Sequence, residues 1–255
     1  MRDVKKVINE VEVEEMARQV SIGSQSFENL REKGCFYIDK TYFIRDWWKT
    51  EDQITLITRP RRFGKTLNMN MLECFFSDRY AGRLDFFKTN PYLGRAVMTG
   101  ITRVSKESMF SDLNNPNVCT VAVDQYATAF GFTEEEVFAS MDEFDMGSEK
   151  EKMGVKNWYD GFTIGNHHDI YNPWSITNFL RQKVFKTYWV NTSSNGMAGS
   201  VLQQADKNVK VLFEQLMQGK SIDVEMNDEM IFSQLGEKDE AIWARLLCSG
   251  YLMAE

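Results

Sequence analysis

Five residues and the eight that follow them constrain this chain more than any other feature. Ile54-Thr55-Leu56-Ile57-Thr58 is β-branched and apolar, which predicts a buried strand. Arg59-Pro60 ends it, because the residue before proline is held extended and proline has no N–H for a ladder. From Thr66 to Ser77 the pattern changes period: Leu67, Met71, Cys74 and Phe75 form one helical stripe, with Leu72 and Phe76 beside it. Between strand and helix stands Arg59-Pro60-Arg61-Arg62-Phe63-Gly64-Lys65-Thr66. A phosphate loop needs backbone N–H groups at a helix N-terminus, a lysine for the β and γ phosphates and a hydroxyl for Mg²⁺. Gly64, Lys65 and Thr66 supply the second half of GxxxxGK[ST], but Arg59 stands where its first glycine belongs. Gly-Lys-Ser/Thr arises by chance in roughly one chain in eight of this length. The strand before it and the helix after it are what give it weight. The competing reading is a basic surface turn that binds nothing, or that lays Arg59, Arg61 and Arg62 on nucleic-acid phosphates.

Composition narrows the setting. The chain has 255 residues, 43% of them hydrophobic, enough for one large domain or two small ones around a real core. A net charge of −7 argues against a protein that coats nucleic acid. The longest apolar runs, Cys35–Ile38 and Tyr251–Ala254, are four residues, so no membrane span is expected. Met1–Val20 has no apolar core or small-residue cleavage site, so a cytoplasmic protein is expected. Cys35, Cys74, Cys119 and Cys248 then read as reduced thiols, without a CxxC pair. His167 and His168 are adjacent and diverge on either a strand or a helix, a poor metal pair.

Elsewhere the pattern predicts a charged helix or tail over 4–19, a strand at Phe36–Ile38 and a helix over Thr41–Thr50. A strand over Arg95–Ile101 ends at Thr102-Arg103. Thr133 and Glu136 make a capping box that opens a helix through Phe144. Further helices are expected at Ser148–Tyr159, from Pro173 to Leu180, and near 198–204, 209–218 and 239–249. The division that follows is an N-terminal helix or tail over 1–20, a mixed core over 21–117 and a mainly helical, lid-like part over 118–255. Trp158, Tyr159, Tyr171 and Trp174 read as core aromatics rather than a base-stacking surface.

Several stretches carry a resemblance. They are Tyr37-Ile-Asp-Lys-Thr41, Leu56 to Thr66, Ala96 to Lys106, Gly131 to Val137, Trp158 to Phe162 and Ile170 to Ser175. Together they resemble the predicted AAA-ATPase-like family, bacterial P-loop proteins that often carry a C-terminal nuclease-like domain of the PD-(D/E)XK type. The resemblance implies an α/β, P-loop NTPase-like three-layer core that binds ATP and Mg²⁺. It also implies that RPRRFGKT is a family trait, so Arg59 is no lesion. The nucleotide would be held by Arg61, Arg62, Phe63, Gly64, Lys65, Thr66 and Leu67, and Mg²⁺ by Thr66. Thr102 and Arg103, at the tip of a neighbouring strand, would be sensor-like.

One part of that pattern is missing. A Walker B strand and its flanking βα units need roughly 60 residues, but fewer than twenty separate Ser77 from Arg95. The break in the resemblance falls between Leu84 and Lys88, so the sheet is expected to be incomplete. Met141-Asp142-Glu143 follows an apolar stretch, but its capping box and helical spacing disqualify it as Walker B. Nothing in the spacing selects Asp39 or Asp85. No nuclease signature is visible, and the chain ends at Glu255 where the resemblance expects a further domain to begin. ATP binding with little or no turnover is the expectation. Exposed apolar residues at Trp47, Trp48 and Leu67–Phe76 would promote self-association. The alternatives are a non-enzymatic interaction module and a nucleic-acid-binding accessory of a nuclease system.

Overall fold

The computed structural model describes residues 17–77, 79, 96–101, 116–159, 161–189, 205–224 and 239–253. The expectations at 4–16, 84–88, 198–204, Asp85, Thr102, Arg103 and Lys106 lie outside them.

The fold is mixed α/β, built on a small parallel sheet. β1 (Ile54–Thr58) lies between β2 (Ala96–Gly100) and β3 (Asn117–Cys119) and is parallel to both. The register places Thr58 opposite Gly100 and Ile57 opposite Cys119, so all three strands end at one edge. A parallel strand needs cover on both faces. Accordingly Thr55, Leu56, Ile57 and Thr58 are all buried. β3 is three residues long and too short to stand out in the sequence.

The expected exposure of Trp47, Trp48 and Leu67–Phe76 is not what the structure has. α1 (Phe27–Glu32), α2 (Tyr42–Lys49) and α3 (Lys65–Phe76) pack their apolar faces on one another around Phe27, Phe43, Trp47 and Met71. Trp47 is 4% exposed and donates its indole N–H to Thr55 Oγ1 at 3.0 Å. Trp48, Leu67, Phe75 and Phe76 are partly buried against the same cluster. α1 is tied to α3 by the Phe27 N–H, which Asn70 Oδ1 accepts at 2.8 Å. Three helices therefore do the covering that the sequence reading assigned to missing strands.

Phe36–Ile38 is extended, as its alternation suggests, but it is not part of a ladder. Its main chain is held by Phe36 N–H donating to Gln19 O at 2.9 Å and by Arg18 Nη1 donating to Tyr37 O at 3.4 Å. Alternation still does its work: Tyr37 enters the cluster of α1–α3, while Phe36 enters a second cluster and meets Phe144 edge-on at 5.3 Å.

That second cluster belongs to the later helices. α4 (Glu134–Glu143) starts at the expected capping box, with Thr133 Oγ1 accepting from Glu136 N–H and Glu136 Oε2 accepting from Thr133 N–H. α5 (Glu149–Tyr159) and α6 (Pro173–Gln182) supply Val155, Ile176 and Phe179 to the shared core. α6 is capped by Asn172, with Pro173 at its start. Between α5 and α6 lies an antiparallel hairpin that the sequence reading missed, β4 (Phe162–Ile164) and β5 (His167–Ile170). Its turn is Gly165-Asn166, a recognised two-residue hairpin signal. Both Asn166 nitrogens donate to the Asp124 carboxylate, which locks the turn onto the preceding loop. α7 (Lys207–Met217) and α8 (Asp239–Ser249) pack through Val209, Trp243 and Leu246.

These elements corner the segment between β1 and α3. Phe63 is fully buried and packs with Ala127, Ile164 and Ile170, with Phe162 edge-on at 4.9 Å. Gly131 has φ +85°, and a Cβ there would stand 2.5 Å from Ile170 and 3.0 Å from Phe63. The hairpin thus acts as a backstop that fixes Phe63, and with it the loop.

Candidate functional site

The loop between β1 and α3 is organised around a buried cation. Arg59 is 0% exposed, although it occupies the place where a phosphate loop ordinarily has glycine. Its Nη1 donates to the carbonyls of Thr58 (2.8 Å), Cys119 (3.1 Å) and Thr120 (2.9 Å). Its Nη2 donates to the carbonyls of Gln125 (3.2 Å) and Tyr126 (3.1 Å). The ends of β1 and β3 and the loop after β3 are therefore joined by one guanidinium. Its Cζ also lies 5.8 Å from the centre of the Phe130 ring. No carboxylate is needed, because the converging carbonyl dipoles supply the negative potential. Burial pushes Arg59 down to about 10, which still leaves it charged at neutral pH. The basic-turn reading that set Arg59 on nucleic-acid phosphates is excluded by this geometry.

Beyond Arg59 the backbone turns sharply. Arg62 has φ +67° and Gly64 has φ +75°, both left-handed. Glycine adopts that conformation freely, whereas Arg62 needs support. It gets support on two sides: its guanidinium lies 4.6 Å over the Trp174 ring, and the adjoining Arg61 carbonyl accepts from Asn172 Nδ2 at 3.0 Å. Trp189 Nε1 also donates to Arg61 O at 3.4 Å. The loop is thus held from beneath by Arg59, by Phe63 at the hairpin, and by the start of α6 at Arg61 and Arg62.

α3 opens at Gly64 with no side-chain N-cap and no acid in its first turn. Its first N–H groups and the positive end of its dipole consequently face outward uncompensated. Lys65 folds back here: its Nζ donates to Arg59 O at 2.9 Å and to Pro60 O at 2.6 Å. Burial, then the nearby charges of Arg59 and Arg61, push Lys65 down to about 8. Thr66 is exposed on the first turn, beside Lys65.

Arg62, Phe63, Gly64, Lys65, Thr66 and Leu67 all line one cavity of about 250 Å³. Of the residues expected to meet a nucleotide, only Arg61 is not on its wall; its carbonyl is taken by Asn172 and Trp189. Opposite the loop, the wall is made by Ser21–Gln25 and by Phe36, Ile38, Phe132 and Trp174. One charged side chain from outside the loop joins them: Lys40, 3% exposed, whose Nζ meets Glu136 Oε2 at 2.6 Å and Thr128 O at 2.8 Å. Burial pulls Lys40 below its ordinary value, against the opposing pull of Glu136. Sequence reasoning missed Lys40 and the 21–25 segment, neither of which lies near the loop in the chain, and it set Trp174 and Trp158 in the core, whereas Trp174 lines this cavity and Trp158 is 51% exposed.

No aspartate or glutamate is among the described residues that line this cavity. Asp39 accepts the Thr41 N–H at 2.8 Å at the entry to α2. Glu143 is bound by Arg18 at 2.7 Å and Asp142 by Lys152 at 3.2 Å, both at the end of α4. Among the described residues no cluster of three His, Cys, Asp or Glu could hold a metal. The groups that suit an anion are those of the loop: outward N–H groups, the Lys65 ammonium and the Thr66 hydroxyl.

The buried guanidinium makes a counter-intuitive prediction. Arg59→Gly would restore the usual loop glycine but strand five carbonyls in a dry interior. We expect it to destabilise the chain by ~3 kcal/mol or more. Melting should fall by roughly 6–12 °C, as read by calorimetry. A variant that melts like the parent would show that Arg59 does not hold the loop.

Comparison with known proteins places this segment. A 100-residue stretch is 29% identical to the "Uncharacterized protein in vnfD 5'region" of Azotobacter chroococcum mcd 1. The match covers 39% of this chain and 18% of that protein. No solved structure matches the chain. A family model does match: residues 21–90, which include the cavity's N-terminal wall, β1, the loop and α3, are similar to the family described as Predicted AAA-ATPase.

Proposed function

We propose that this chain binds ATP with Mg²⁺ through the RPRRFGKT loop, in a P-loop NTPase-like core, and hydrolyses it slowly or not at all. The observation that carries the reading is the convergence of Gly64, Lys65 and Thr66 with the open N-terminus of α3 on one cavity. Lys65 Nζ exchanges the Arg59 and Pro60 carbonyls for the β and γ phosphates. The N–H groups from Phe63 to Leu67 hold the phosphate oxygens, with Arg61 and Arg62 adding positive charge at the rim. The Thr66 hydroxyl is the protein's ligand for Mg²⁺, which would supply charge neutralisation on the phosphates. The family domain over 21–90 supports nucleotide and metal use.

Two further assignments rest on position. The C-terminal end of β2 lies beside that of β1, with Gly100 opposite Thr58. Thr102 and Arg103 come after Ile101, the residue that follows it in the sequence, which supports a sensor-like role toward the γ phosphate. The part after β3 supplies Trp174, from α6, and Phe132, from the bridge before α4, to the opposite wall, which supports the lid-like role of 118–255. Slow hydrolysis follows from the cavity wall: no aspartate or glutamate is among its described lining residues, and Asp39, Glu136 and Glu143 are engaged by the Thr41 N–H, Lys40 and Arg18. Among the described residues no helix is long and apolar enough to cross a membrane, in keeping with a nucleotide-binding protein of the cytoplasm.

Titration of ATP-Mg²⁺ by calorimetry, followed by a phosphate-release assay, tests the reading. Lys65→Ala should weaken binding at least about tenfold, the loss of one charge-assisted bond. Phosphate release should stay near background in both proteins. Unchanged affinity in the variant would remove the loop from nucleotide binding.

Affinity should also depend on pH with a definite sign. Phosphate binds the charged form of Lys65, and in the free protein that form is lost near pH 8. Bound phosphate raises the lysine again, so binding takes up a proton. Affinity should be flat below about pH 7 and fall as pH rises through 8, a slope that Lys65→Arg abolishes. A profile that rises through pH 8 would contradict the assignment.

A further inference from the structure

A second groove meets the loop cavity at Arg62 and Trp174, which line both. Its chemistry, like that of the loop cavity, runs against the acidic balance of the chain. Of its eight described lining residues four are aromatic and two are cations, and none of the eight carries a carboxylate. Trp158, at the end of α5, is 51% exposed and stacks on Phe185 at 22° with ring centres 6.0 Å apart. Phe185 is stacked in turn on buried Phe179 at 4.6 Å. The indole is therefore held flat with one face already occupied, so a ligand stacking on the other face orders little that is not ordered already.

The cations are similarly prepared. Lys186 is exposed, but its backbone is clamped by the Tyr159 hydroxyl, which accepts from Lys186 N–H at 3.1 Å and donates to Lys186 O at 3.0 Å. Trp174 donates its indole N–H to Tyr188 O at 3.1 Å, which fixes the ring beneath Arg62. An apolar peptide would leave two cations without use, and an acidic peptide would leave the open ring face without use. A planar, π-faced unit carrying repeated negative charge uses both.

We propose that this groove binds a short single strand of nucleic acid, with a base on the open face of Trp158 and backbone phosphates at Arg62 and Lys186. The proposal stands on the groove alone and does not depend on nucleotide binding at the loop. The negative net charge of the chain limits long-range attraction, so affinity has to come from these contacts.

The test is fluorescence anisotropy of a labelled oligothymidylate of about 12 nucleotides with the full chain. Saturable binding is expected, with quenching of tryptophan fluorescence. Two phosphate contacts predict that log affinity falls with log salt at a slope of about −1.4. Trp158→Ala should weaken binding at least about tenfold, and Lys186→Glu should weaken it and flatten the salt slope. Both changes lie at exposed positions, so an unaltered melting temperature serves as the folding control. The proposal is overturned by the absence of saturable binding at low salt, by equal binding in both variants, or by tighter binding of duplex than of single strand. It is equally overturned if the groove proves to join two copies of this chain, seen as a dimer that Trp158→Ala abolishes.

Discussion

A guanidinium without a carboxylate partner, sealed under a loop, is sustained here by geometry. β1 and β3 run parallel and end at the same edge, which brings the carbonyls of Thr58, Cys119 and Thr120 within reach of one donor. The loop after β3 adds two more, and Arg59 bridges the set. Removing the cation would leave acceptors without donors, and removing the acceptors would leave a buried charge, so neither half survives alone. The interaction fixes the start of the loop, the relation of β3 to β1, and the carbonyl that receives Lys65.

The rest of the site follows from that anchor. With its first residue immobilised, the loop has to complete its turn between Pro60 and Gly64, which places Arg62 and Gly64 in left-handed conformations. The hairpin of β4 and β5 holds Phe63, and the start of α6 holds Arg61 and Arg62. α3 then begins with an uncapped N-terminus at the cavity. Lys65, lacking an anion, uses loop carbonyls instead, and its lowered proton affinity reflects that partial desolvation.

The legible parts of this architecture were those encoded locally. The strand at 54–58, the helix after Gly64, the Thr133–Glu136 capping box and the helix starting at Pro173 are all short-range signals, and each stands where its signal places it. What was hidden depends on long-range pairing. The role of Arg59 requires carbonyls some sixty residues away, so in sequence it reads as one more basic residue in a turn. Lys40 and Glu136 are 96 residues apart, and nothing in either neighbourhood announces the pair. Trp47 looked exposable only because three helices, and not further strands, supply its cover. The hairpin at Gly165-Asn166 is a different case: its signal is local and stands in the sequence, between two strands too short to show a period.

The central claim is that Arg59 is structural while Lys65 is the group that changes partner. A crystal structure of the chain with a non-hydrolysable ATP analogue and Mg²⁺ tests it directly. The account predicts the analogue's phosphates at the N-terminus of α3, Lys65 Nζ moved from the Arg59 and Pro60 carbonyls onto phosphate oxygens, and Arg59 still on its five carbonyls. Phosphates bound elsewhere, or Arg59 drawn out onto the ligand while Lys65 stays in place, would contradict it.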